Sequence, residues 1–249
     1  MTRLVRQVRF EQRVYWRNRS TAFFTFLLPL IFLAVFAVVG RDREVDGRPY
    51  ADVFIPGMLG LAILVTTFAG LAITLTIRRE RGVLKRVRGT PLPPATYMAA
   101  LVSSNALVLA VETVLVLLVG STVLDVDLPS TWPELVGLVI LGAACFAILG
   151  VAVSPLVPTA EGSSAVVNAI YLPMLLLSGA FFPVDELPAF LEWLAEALPL
   201  THLLDAMRAV LQDGGLSGDD LAGLAVPIAW AIMGLAVAAR TFRWTPRVG

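Results

Sequence analysis

The sequence predicts an all-α membrane protein. It has six transmembrane helices, an amphipathic interfacial helix ahead of the first, and a short helical pair on the outer side before the last. Three observations predict this. Hydrophobic residues make up 57% of the 249 residues and charged residues 15%, against about 45–50% and about 25% in soluble domains; the mean hydropathy is +0.81. Six apolar runs approach or exceed the ~20 helical residues that cross about 30 Å of hydrocarbon. The basic residues sort to alternate connections between those runs. A soluble domain of this size has no interior for so much apolar surface, which excludes a disordered chain, a nucleic-acid-binding module and an ordinary cytosolic enzyme.

The spans read as 22–39, 53–77, 95–120, 135–157, 163–182 and 221–239. Barrel strands would alternate apolar and polar residues, and these runs do not, so helices are predicted. Pro29, Pro56, Pro155, Pro173 and Pro227 lie inside them, which membrane helices tolerate because neighbours satisfy the freed carbonyls. The first run follows a long basic segment and lacks a small-x-small cleavage pair, so it reads as an uncleaved span. No repeat and no low-complexity linker appears, and 1–249 reads as one domain.

Net charge is zero, but its distribution is lopsided. Residues 1–21, 78–94, the short loop around Glu161 and 240–249 hold fifteen of the 19 basic residues and three of the 19 acids. The opposite connections, 40–52, 121–134 and 183–220, hold four basic residues and fifteen acids. The positive-inside rule then places both termini in the cytoplasm, which agrees with the shared side that an even number of spans requires. Eighteen of the basic residues are Arg, a coding bias that suggests a bacterial source and hence the plasma (inner) membrane.

Three segments outside the spans carry pattern. Along 3–17, Arg3, Arg6, Arg9, Arg13 and Arg17 fall within about 120° on a helical wheel, with Leu4, Val5, Val8, Tyr15 and Trp16 beside them. That reads as a helix in the headgroup plane, or as a basic leader that only sets topology. In 80–88, Val83, Leu84 and Val87 form one short apolar face rimmed by Arg81, Lys85 and Arg86, and the prolines at 91, 93 and 94 end the segment. A loop that only set topology would need no such face, so docking on a partner is favoured. In 184–212, two short amphipathic helices meet at Pro199 and end at Gly214 and Gly215, too short and too acidic to cross. They either lie on the outer surface or dip back in. His202 between them reads as a helix-end or interface residue.

Catalytic chemistry is not expected. The chain has no G-x-x-x-x-G-K-[ST] loop, no H-E-x-x-H and no C-x-x-C, and one His and one Cys in all. Cys145 allows no internal disulfide and reads as a small apolar helix residue. No catalytic residue, metal site or cofactor is assigned to this chain. Asn105 and Glu112, seven apart on one face of the third span, are the notable intramembrane polar groups. Such groups are functional candidates, or they bond to a neighbouring helix as packing glue. Thr66, Thr67, Asn168 and Tyr171 are further polar positions in spans two and five.

Taken in order, RQVRFEQRVYWRNRS before span one, IRRERGVLKRVRGTPLPP between spans two and three, and LPMLLLSGAFFPVDELPAFLEWLAEALPLTHLLDAMRAVL after Asn168 resemble the type-2 permease family of ATP-binding-cassette (ABC) exporters. The likeness covers essentially the whole chain and is closest to the bacterial drug-resistance branch, including daunorubicin-type permeases. It implies a permease subunit that pairs with a second permease subunit, as homo- or heterodimer, and with two ABC ATPase subunits that carry ATP and Mg. It implies that 3–17 is a connecting helix and 80–88 the coupling helix. It implies that 184–212 forms an extracellular re-entrant hairpin. It also implies that Thr66, Thr67, Phe68, Asn168, Tyr171 and Met174 line a path through which a hydrophobic or amphipathic drug, lipid or lipid-linked glycan is exported.

Two rivals stand beside that expectation. A proton-coupled secondary carrier would use Glu112, but such carriers usually show an internal repeat, and none is visible. A non-transporting membrane sensor or scaffold leaves the apolar face of 80–88 unexplained.

Overall fold

The computed structural model of the chain describes residues 2–39, 44, 45, 48–181, 184, 187–242 and 244. Most of the tail 240–249, the end of the fifth predicted span at 182, and residues 40–43, 46, 47, 185 and 186, which carry part of the charge reading, lie outside the described residues.

Among the described residues the regular secondary structure is helical apart from one two-residue antiparallel ladder, Glu44–Val45 against Arg48–Pro49. Helix α1 (Arg3–Arg17) meets α2 (Arg19–Val39) at 81°. Then α3 (Tyr50–Ile63), a π-helical segment Leu64–Ala69 and α4 (Gly70–Glu80) follow one another without a break. The short α5 (Val83–Arg88) follows a turn at Gly82, whose φ of 69° suits a residue without Cβ. Pro93 and Pro94 launch α6 (Pro94–Val123). Helix α7 (Trp132–Val153) closes in a 3₁₀ turn, Ser154–Leu156. Pro155 therefore terminates a helix instead of sitting inside one, as its missing N–H favours. The remaining helices are α8 (Ser163–Leu177), α9 (Ala189–Glu196), α10 (Pro199–Gln212), α11 (Gly218–Gly223) and α12 (Ala225–Thr241).

Four stretches are long and apolar enough to cross a membrane: Phe54–Glu80, Pro94–Val123, Trp132–Leu156 and Gly218–Thr241. The α1–α2 pair reaches that standard only when its two bent halves are taken together, giving up to five. The fifth segment read from the sequence is apolar and helical, but α8 has 15 residues, short of the ~20 a perpendicular span needs. The chain is thus a multi-pass membrane protein by its apolar helices.

Phe54–Glu80 is the hub. Met58, Leu59, Ile63, Leu64 and Phe68 are fully enclosed, packed with Phe146 of α7 and with Leu200, Leu203, Leu204, Met207 and Val210 of α10. Glycines admit these contacts. A Cβ at Gly142 would lie 2.6 Å from Leu203 and one at Gly60 2.7 Å from Leu204, which is how small residues let membrane helices approach. Outward, the pattern inverts. Leu107, Val111, Val114 and Leu118 form an exposed stripe on α6, and Ile228, Ile232 and Leu235 one on α12. A soluble protein rarely shows such surface; lipid accepts it.

Candidate functional site

Two clusters of polar groups bear on the hub. The first is a knot in the middle of the hub. The π segment carries Thr66, whose hydroxyl donates to the Glu112 carboxylate at 2.5 Å, and Asn105 donates through Nδ2 to the Thr66 carbonyl at 3.0 Å. Asn105 and Glu112, two turns apart on α6, therefore grip the same residue. The opposite side of the segment meets α7, where a Cβ on Gly150 would stand 2.5 Å from the Phe68 carbonyl oxygen. A π turn displaces backbone carbonyls from their α-helical partners and is common at functional sites. Here side chains and a glycine from two neighbours brace it.

Beside the knot, between α1, α2, the hub and α8, runs a cavity of about 490 Å³ lined by Tyr15, Thr66, Asn105, Asn168 and Tyr171 among others. A second cavity, of about 430 Å³, adjoins it, sharing Thr21, Thr25, Val65 and Tyr171, and has Glu112 in its wall. Burial pushes the Tyr15 phenol above its usual pKa, so it stays neutral. Of the residues read as path-lining, Thr66, Asn168 and Tyr171 thus share this groove, with Asn105 and Glu112 beside them. Thr67 donates to the Ile63 carbonyl at 2.7 Å and is enclosed, as is Phe68 against α7. Met174 packs against the apolar core.

The second place lies at the end of α4. Arg78 pairs bidentately with Glu11 of α1, at 2.6 and 3.1 Å, and donates to the Tyr97 hydroxyl of α6 at 2.7 Å. Arg79 donates to the carbonyls of Ser154 and Val157 at 2.9 and 2.7 Å, satisfying oxygens that the end of α7 leaves over. Glu80 accepts from the Ala160 amide in the next connection. Three consecutive residues so tie α4 to α1, α6 and the α7–α8 turn. Gln12 adds a bond from α1 to the Ser104 carbonyl of α6 at 2.7 Å.

Next to this anchor, α5 differs from the expected docking face. Leu84 is fully buried in the chain itself, against Leu71, Leu75, Tyr97, Leu101 and Ala147, with Val87 packed on the same cluster. The apolar side of a six-residue helix found the nearest apolar surface, which is the underside of its own bundle. Arg81, Lys85 and Arg86 are exposed and Val83 is half-buried.

Sequence reading passed over Glu11, Arg78 and Arg79 as latch residues. A signal existed for one of them: Glu11 is the single acid among six arginines in 1–21. For the arginines there was none, because a cation that ends a span looks the same whether it sits in water or on a helix terminus. Cys145 is buried, its thiol 3.2 Å from the Pro227 carbonyl of α12. His202 contacts the Glu196 carbonyl at 2.8 Å, tying α10 back to α9.

A sequence profile of the family described as ABC-2 type transporter matches residues 4–211. The chain is 23% identical over 193 residues to the transport permease YvfS of Bacillus subtilis, covering 77% of this chain and 78% of that one. It is 29% identical over 181 residues to Nodulation protein J of Sinorhizobium fredii, covering 71% of this chain and 66% of that one. It is 26% identical over 194 residues to the daunorubicin resistance ABC transporter permease protein DrrB1 of Streptomyces coeruleorubidus, covering 74% of this chain and 66% of that one. The matched part is about two thirds of the length of these last two.

Proposed function

The chain belongs to the ABC-2 type transporter family, and we propose that it is the permease subunit of an ABC exporter. It moves a hydrophobic or amphipathic molecule (a drug, a lipid or a lipid-linked glycan) out of a bacterial cell across the plasma membrane. Proteins of this family are transmembrane subunits, not themselves catalytic, that work with ABC ATPase partners. ATP and Mg are held by two such partners, and a second permease subunit, identical or not, completes the pathway. The likeness to a daunorubicin resistance permease supports export of an amphipathic compound. The chain crosses six times, with both ends cytoplasmic; α8 makes the fifth crossing together with the residues after it. Helix α1 lies at the inner surface, and α9 with α10 forms the outer hairpin.

The observation that carries the coupling mechanism is the triple tie at Arg78, Arg79 and Glu80. Arg81, Lys85 and Arg86 meet the ATPase, with Val83 at the margin and Leu84 and Val87 as the internal root of the coupling helix. Displacement of α5 then moves α4 and, through the tie, α1, α6 and the α7–α8 turn together. The path runs past Thr66, Asn168 and Tyr171, with Thr67, Phe68 and Met174 behind it. Nucleotide shifts the two access states because it binds them with different affinity.

The test is affinity purification of the tagged chain co-expressed with an ABC ATPase subunit, followed by transport in inverted vesicles. ATPase retained with the chain and uptake that requires ATP are expected. Uptake driven by a proton gradient without ATP would instead mean a carrier working through Glu112. A chain that retains no ATPase and moves nothing would mean a sensor or scaffold.

A further inference from the structure

Glu112 is 2% exposed, yet it stands in the wall of the 430 Å³ cavity. The rest of that wall is mostly apolar: Phe24, Leu28, Pro29, Leu61, Val65 and Tyr171 contribute to it. The volume is that of a small-molecule site. Phe24 and Leu28 are 62% and 40% exposed, so the rim opens sideways, on the exposed face of α2. Among the described residues no Arg, Lys or His pairs with Glu112, and its hydrogen bond comes from the neutral hydroxyl of Thr66. A carboxyl group held in an apolar wall without a counter-cation can carry its charge only at a cost. A ligand ammonium supplies what is missing, while rings and aliphatic groups along α2 and the hub take an apolar body.

From this cavity and its one carboxylate we propose that the exporter's substrate is a lipophilic amine, bound with its ammonium against Glu112 and its apolar part between α2 and Phe54–Glu80. This rests on the permease reading and names the substrate class for the same groove. Asn168 and Tyr171, both uncharged, continue the path toward the larger cavity, where the lining cation Arg78 is paired with Glu11.

The experiment uses the full chain in lipid nanodiscs and two dansyl probes of one shape. One carries a quaternary ammonium group, the other a tert-butyl group in its place. Fluorescence titration is expected to show that the wild-type chain prefers the cation by about tenfold or more, well within the Coulomb attraction of two unit charges a few ångströms apart at a partly screened site. Glu112→Gln can still accept from Thr66, so it should keep its elution profile and melting temperature. It should lose the preference while binding the neutral probe as before. Leu28→Trp, at the rim and with the carboxylate intact, should weaken both probes by filling the cavity. Equal binding of the two probes by the wild type assigns the cavity to an apolar occupant such as a lipid chain and overturns the proposal, as does a cation preference that survives in Glu112→Gln. The ATPase is absent from the titration, so these failures leave the permease reading standing. A chain that selects the cation but captures no ATPase keeps the amine site and overturns the permease reading instead.

Discussion

Glu11 and Arg78 are read most clearly one residue at a time. Arg78 keeps 17% of its side-chain surface and Glu11 3%, so the pair sits at the edge of the bundle's interior rather than in water. Exposed ion pairs are worth about 0–1 kcal/mol, whereas removing one partner of a buried pair costs about 3–5 kcal/mol. The bidentate geometry and the third bond to Tyr97 favour the second case, and the residual exposure of Arg78 favours its low end. Glu11→Ala is therefore expected to destabilise the chain by about 3 kcal/mol, and Arg6→Ala, on the exposed side of the same helix, by less than about 1 kcal/mol. Thermal melting in detergent checks both. Equal, small losses would mean that α1 is held by its other contacts and not by this pair.

At the scale of the element, α5 carries two opposed requirements. Its apolar side roots it in the chain, and its charged side is left free for a partner. Leu84→Ala should behave as a core truncation and cost about 2–5 kcal/mol of stability, lowering the melting temperature of the chain on its own. Reversing Lys85 and Arg86 together to Glu should leave that melting temperature within about 1 kcal/mol equivalent and reduce ATPase co-purification. If Leu84→Ala left the melting temperature untouched while abolishing ATPase capture, Leu84 would face outward and the root would have to be sought elsewhere. The π segment shows the same division of labour. Its outer face offers Thr66 to the groove, and its inner face needs Gly150 for room.

For the whole molecule, the distribution of charge predicts the orientation in the membrane. In a Cys145→Ala background, which removes a buried thiol with one weak contact, a cysteine at Asp127 or Gly218 is expected to react with an impermeant thiol reagent added outside cells. One at Arg88 is expected to stay unlabelled. Labelling at Arg88 would invert the topology, and with it the placing of α5 on the side where ATP is available.

Composition, the apolar runs and the sorting of cations were enough to determine that this chain lives in a membrane, where its helices lie and which connections are basic. Each is a property of local stretches, and lipid reads local apolarity directly. The resemblance carried by the ordered segments also reached the family before any coordinates. Tertiary structure decided the rest. That Leu84 turns inward while Lys85 and Arg86 turn outward depends on which apolar surface lies nearest in space. The knot at Thr66 joins residues 39 and 46 positions away in sequence, and the latch at Arg78 joins one 67 positions away. The sequence marked Glu112 and Asn105 as polar groups in hydrocarbon. It contained no sign that both would close on one π turn, because a hydrogen bond is specified by the separation of two atoms in space, and that separation is set only when the helices pack.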